Sequence, residues 1–122
     1  MSASKLSRLV VKLDRETTNE HVSWAAKPPP ADLTRATDDV IKQVCETRYN
    51  DVWIRVFEKR TRTFDEDDEK FYWRSDFVLQ FIDGEGNVEW EESNITGLRE
   101  LLETITYKTH KISKKIDAIL AA

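Results

Sequence analysis

This chain of 122 residues has few of the residue types that build disulfide, metal or membrane proteins. It has a single cysteine, Cys45, which cannot form a disulfide within the chain and fits a reducing compartment. Its two histidines, His21 and His110, have no cysteine or second histidine at metal-ligand spacing. No apolar run approaches the ~20 residues of a membrane-spanning helix, and the first residues lack the apolar segment of a secretory signal. We therefore expect a cytoplasmic protein without a membrane partner.

Sequence motifs for catalysis are also missing. The chain contains no Gly-rich phosphate loop, no GxSxG turn and no HExxH helix. Its net charge of −4 argues against general nucleic-acid binding, which normally requires a basic face. Its 39 % hydrophobic and 34 % charged residues are typical of a folded domain. We expect one domain over residues 1–122, without a cofactor and more consistent with a binding protein than with an enzyme.

Apolar residues recur at helical spacing at both ends of the chain. The N-terminal stripe predicts a helix over residues 4–16. The C-terminal stripes predict a pair of helices over residues 95–121, with Asn94 or Thr96 as N-cap. A break is expected between residues 106 and 111, where β-branched and aromatic residues are mediocre helix formers. The stripes consist of Leu6, Leu9, Val10 and Leu13, then Leu98, Leu101, Leu102 and Ile105, then Ile112, Ile116, Ile119 and Leu120.

Between the helices, apolar and polar residues alternate at a period of two, which predicts β-strands. Residues 20–26 predict a short strand that ends at the prolines 28–30, and residues 39–92 predict an antiparallel meander of four strands. A helix over residues 33–49 also fits the apolar spacing there, but pairing across an Asn50–Asp51 turn favours a strand. The predicted fold class is therefore α+β: a meander sheet of four or five strands, with an N-terminal helix and two C-terminal helices packed on it.

The turns predict the register of the three hairpins. The first turn sets Cys45 opposite Val56, and the acidic loop of the second sets Phe64 opposite Phe71. A third turn over residues 83–87 sets Phe81 opposite Val88. One side of the sheet, called the core face below, then carries Ile54, Val56, Phe77, Leu79, Phe81, Val88 and Trp90.

The opposite side, called the second face below, is too apolar to be left in water. It carries Trp53, Phe57, Val78 and Ile82. We expect either the N-terminal helix or a second copy of the chain to cover it.

The long second hairpin and the last helix carry the candidate binding residues. Guanidinium groups beside aromatic rings are a common recognition surface, although the arginines would equally neutralise the acidic tip of the hairpin. The lysines of the last helix give a charge asymmetry that can orient a partner, or form a solvated face. The expected partner-binding residues are Arg60, Arg62, Tyr72, Trp73, Arg74, Lys111 and Lys115.

The hairpin tip, Asp65–Glu69, is the densest cluster of charge. Asp65, Asp67 and Glu69 alternate as oxygen ligands of a hard cation would. The tip lacks the glycine and the distant bidentate glutamate of an EF-hand loop, so we expect no metal site and a solvated tip, with a docking surface for a basic partner as the alternative.

These patterns predict a non-catalytic interaction module that binds another protein or a second copy of itself. The alternative is a protein that binds a small molecule or an ion, or an enzyme. Its pocket would lie between the sheet and the C-terminal helices and would be lined by Phe77, Trp90 and Glu92.

Overall fold

A computed structural model of the chain describes residues 3–122. The chain forms an N-terminal helix, a five-stranded antiparallel sheet in the order β1-β2-β3-β4-β5, and two C-terminal helices, which confirms the predicted α+β fold. No helix among these residues is long and apolar enough to cross a membrane. The elements are α1 (Ala3–Thr18), β1 (Ala25–Lys27), β2 (Val44–Tyr49), β3 (Val52–Asp65), β4 (Lys70–Ile82), β5 (Val88–Ser93), α2 (Leu98–Thr109) and α3 (Ile112–Leu120).

The register of the first two hairpins is as predicted. Cys45 pairs with Val56, and Phe64 pairs with Phe71. Asn50 and Asp51 have φ angles of 51° and 64°, the left-handed values that a two-residue hairpin turn requires. The chain therefore forms a strand at Val44–Tyr49, and the competing helix over residues 33–49 is wrong.

The predicted register of the third hairpin is wrong. Val88 pairs with Ile82, and an irregularity in the ladder then brings Trp90 opposite Phe81. The turn is closed by the Asp83 carboxylate, whose Oδ1 accepts hydrogen bonds from the backbone N–H groups of residues 85 and 87, each at 2.9 Å. Val88 is consequently exposed, whereas the ring of Trp90 packs on Phe81 with centroids 5.0 Å apart.

Both α1 and α2 pack on the core face of the sheet. Their apolar stripes meet Ile54, Val56 and Leu79 in the main hydrophobic core. The expectation that the N-terminal helix covers the second face is therefore wrong. An amphipathic stripe identifies which side of a helix is buried, but not which side of a sheet it contacts.

The second face is partly covered by the connection between β1 and β2. Leu33, in one turn of 3₁₀ helix at Ala31–Leu33, packs with Ile41 against Phe57 and Val78. Val40 forms an isolated antiparallel bridge with Arg60, which fastens this connection along β3. The segment between β1 and β2, and not α1, therefore covers part of the second face.

The last helix, α3, differs from the other two. It is separated from α2 by His110 and Lys111, inside the predicted break, and none of its residues is buried. Of the C-terminal pair, only α2 has residues buried against the sheet, whereas α3 stays exposed beyond it.

Candidate interaction surface

The outer half of the β3–β4 hairpin has no neighbouring strand. β2 pairs with β3 up to Val56, and β5 pairs with β4 from Val78 inward. Apart from the Val40–Arg60 bridge, the described chain pairs no other strand with residues 60–75, called the arm below. An isolated two-stranded ribbon is marginally stable, so its side chains must help to hold its shape.

One side of the arm continues the core face and stacks arginines on aromatic rings. The Arg60 guanidinium lies 5.3 Å from the ring centroid of Trp73, and that of Arg62 lies 3.8 Å from the centroid of Phe71. The rings of Phe64 and Phe71 are 5.1 Å apart. Each exposed cation–π contact contributes ~0.5–1 kcal/mol. We call these five residues the aromatic face of the arm.

The aromatic face is open to solvent. Phe64, Phe71 and Trp73 are 49 %, 57 % and 48 % exposed. Three large, half-exposed rings on one short ribbon differ from the singly scattered hydrophobic residues that are normal on protein surfaces. Phe64 and Phe71 were missed as site residues, although their predicted pairing already placed them in line with Arg62 and Trp73.

The predicted arginine and aromatic cluster is divided between the two sides of the arm. Arg60, Arg62 and Trp73 belong to the aromatic face, whereas alternation places Tyr72 and Arg74 on the opposite side. The guanidinium of Arg74 forms an ion pair with Asp76 at 3.3 Å, so it is partly engaged within the chain. The structure therefore brings together three of the five predicted arm residues.

Asn94 fixes the base of the arm. Its Nδ2 donates to Asp76 Oδ1, and its Oδ1 accepts from the N–H of Phe77, both at 2.9 Å. The hydrogen bond from Asn94, with the charges of Arg74 and Lys59 nearby, holds the pKa of Asp76 below its ordinary value. The expected N-cap role of Asn94 or Thr96 is wrong, because Gly97 occupies that position without a side-chain cap.

The acidic tip is folded around one of its own carboxylates. Asp65 Oδ1 accepts hydrogen bonds from the N–H groups of Asp67, at 2.9 Å, and Asp68, at 3.4 Å. Among the described residues, no group of three or more acidic, histidine or cysteine side chains is arranged to hold a metal ion. Residues 66–69 are exposed and form no ion pair within the described chain.

The helix α3 presents an apolar stripe and a basic side. Along the stripe, Ile119 and Leu120 are 73 % and 78 % exposed, and Ile116 is also exposed. Lys111, which has φ +53° at the start of the helix, and Lys115 lie on its basic side, on a different element from the arm. The predicted lysines therefore belong to a second exposed amphipathic element.

A cleft of about 450 Å³ lies where the core face meets α2 and α3. Phe77 lines this cleft with Glu58, Tyr107 and Ile112. Trp90 and Glu92 line two other surface hollows. The three residues expected to form one pocket therefore do not converge.

A row of polar side chains crosses the second face. Arg55 Nε donates to Glu46 at 2.8 Å, Arg55 Nη1 donates to Gln80 at 2.9 Å, and Gln80 donates to Glu91 at 2.7 Å. Burial by itself raises the pKa of Glu46, but hydrogen bonds and charge from Lys27 and Arg55 bring that pKa below its ordinary value. The predicted register, with Cys45 opposite Val56, also places Glu46 opposite Arg55, but it does not predict the extension to Gln80 and Glu91.

In comparisons with known proteins, no protein-family model, curated protein or solved structure matches this chain.

Proposed function

We propose that this protein is a non-catalytic interaction module that binds a protein partner through the aromatic face of its arm. The observation that carries the proposal is the half-exposed set of Phe64, Phe71 and Trp73, with Arg60 and Arg62 stacked against the rings. Aromatic residues and arginine are enriched at protein interfaces and supply most of the residues with large binding energies.

The arm is preorganised for binding. Its strands pair continuously from Trp53–Ile82 to Asp65–Lys70, and Asn94 fixes its base. The arginines already rest on the rings, so less side-chain freedom is lost when a partner docks. Binding energy is therefore not spent on ordering the surface.

The groups with shifted pKa values lie apart from the cleft between the sheet and the C-terminal helices. Burial raises the pKa of the Cys45 thiol, and the pKa of the Asp83 carboxyl is lowered by the hydrogen bonds that close its turn. Neither group lines the cleft between the sheet and the C-terminal helices, and neither do Glu46 or Asp76. This arrangement favours binding over catalysis.

A second candidate function is suggested by the cleft itself. Its volume of about 450 Å³ is within the range of ~300–1,000 Å³ that small-molecule sites occupy. The Arg99–Glu103 ion pair, at 3.4 Å, lies on its rim and would contact a polar ligand. A thermal-shift screen of wild type against Phe77→Ala tests this: a ligand that stabilises wild type alone supports it.

The interaction proposal is tested by the native size of the protein in extracts of cells that make it. We expect wild type to elute above its 14.3 kDa mass and the Arg62→Ala/Trp73→Ala variant to elute at that mass. The matched control is Val11→Ala/Lys12→Ala on the exposed side of α1. The proposal would be contradicted if wild type eluted as a monomer, or if the Arg62→Ala/Trp73→Ala variant kept the larger size as the control does.

A further inference from the structure

We infer that the partner of the arm is a second copy of the same chain. The aromatic face of one arm packs on the apolar stripe of the other copy's α3, and the acidic tip lies beside the lysines of that helix. This inference rests on the proposed function and names its partner.

The molecule has two uncovered apolar surfaces of matching character. The arm exposes rings at Phe64, Phe71 and Trp73, and α3 exposes aliphatic side chains at Ile116, Ile119 and Leu120. Each surface lies on an elongated element, one a ribbon and one a helix. Packing one on the other removes both apolar surfaces from water.

Charge complementarity selects the second copy. The tip has five consecutive acidic residues, Asp65–Glu69, whereas Lys111 and Lys115 lie beside the stripe of α3 and Lys114 lies on the far side of the helix. In the described chain, none of these eight side chains forms an ion pair within its own molecule. An unpaired acidic group and an unpaired basic group, each beside an uncovered apolar surface, are complementary between two identical chains.

Symmetry favours a closed dimer with this contact. Each chain has one arm and one α3, so two copies related by a twofold axis make the contact twice. Direct pairing of two α3 helices would instead bring like-charged lysines together and leave both aromatic faces uncovered. The arm-to-helix arrangement covers all four surfaces.

A charge-swap experiment tests the arrangement on the full chain. The tip variant is Glu66→Lys/Asp67→Lys/Asp68→Lys, which leaves the turn-closing Asp65 in place. The helix variant is Lys111→Glu/Lys114→Glu/Lys115→Glu. The control, Lys12→Glu/Arg35→Glu/Lys42→Glu, makes the same change in charge as the helix variant at exposed positions outside α3.

Native mass spectrometry and sedimentation of the purified proteins give the readout. We expect wild type and control to be dimers, and the dimer Kd of the tip and helix variants to rise about tenfold or more, because like charges then face each other. Mixing the two variants restores a dimer that contains one copy of each. A chain carrying both sets of changes again forms a homodimer.

Two results would overturn the inference. A purified wild type that stays monomeric at high protein concentration excludes a second copy as the partner. The proposed binding of a protein partner is then still tested separately, by the native size of the protein in cell extracts. A dimer that survives in both variants, or is not restored by mixing them, excludes the contact between tip and α3. Circular dichroism of each variant, and the doubly changed chain, separate loss of association from loss of folding.

Discussion

At the scale of single residues, the buried row of polar side chains across the second face connects four neighbouring strands by hydrogen bonds. Arg55 is 3 % exposed, and both Glu46 and Gln80 bond its guanidinium. A buried ion pair is weak evidence for stability, because desolvation offsets much of the attraction. Removing one partner of the ion pair lowers the free energy of unfolding, because the remaining buried charge is left without its partner. A one-residue slip of β3 against β2 would break this pair and carry Arg55 to the core face.

Replacement of Glu46 by glutamine is predicted to weaken the fold in a pH-dependent way. At pH 7 the free energy of unfolding falls by about 2 kcal/mol, because Arg55 loses a charged acceptor. The folded pKa of Glu46 is lowered, so its contribution is complete above the unfolded pKa of ~4.3 and is lost as the pH falls through the folded value. The gap between wild type and variant therefore narrows below about pH 4.

Urea unfolding at pH 7 and pH 3.5 measures that gap. Glu89→Gln is the control, because this residue is exposed and its replacement should change stability by less than about 0.5 kcal/mol. An equal gap at the two pH values would show that the Glu46 charge is not what stabilises the sheet.

Residue patterns predicted the site only in part. Alternation and the acidic loop at residues 65–69 gave the facing pairs of the arm, including Arg62 opposite Trp73. The same alternation places Tyr72 and Arg74 on the opposite side of the arm, so grouping them with Trp73 in one site did not follow from the predicted register. The predictions also missed the role of Asn94, because hydrogen bonds between Asn94 and residues 76 and 77 are set by tertiary packing.

At the scale of elements, the fold was predictable where local chemistry decides it. Short turns and strong alternation specify the first two hairpins, and helical spacing specifies all three helices. The third hairpin was not predictable, because its ladder irregularity moves Trp90 two positions from the expected pairing. The placement of α1 and the exposure of α3 depend on contacts between distant segments. The spacing of apolar residues along the sequence does not specify those contacts.

The apolar stripe of α3 is predicted to matter for association and not for folding. Ile116→Ser/Ile119→Ser should leave the free energy of unfolding within about 1 kcal/mol of wild type, because both side chains are exposed. Leu101→Ala, in the fully buried part of α2, should cost about 2–5 kcal/mol. Urea unfolding at low protein concentration, where association contributes little, makes the comparison. Similar losses in both variants would place α3 in the core.

At the scale of the whole molecule, the chain combines a covered body with two uncovered projections. Most of the core face is buried by α1 and α2, whereas the arm and α3 carry apolar surface into solvent. The acidic tip and the basic side of α3 give these projections opposite charge. These two projections are the surfaces through which we propose that a second copy of the chain binds.

The most direct test is photo-crosslinking from the arm itself. A benzophenone side chain is placed at Phe71, which is 57 % exposed, and for comparison at Val11 on α1, which is 60 % exposed. After irradiation, mass spectrometry gives the mass of each adduct and the peptide joined to it. From position 71 we expect an adduct with twice the 14.3 kDa chain mass, in which the benzophenone is joined to a peptide within residues 112–120. From position 11 we expect little adduct. No adduct at position 71, or equal yields at both positions, would contradict the proposed dimer.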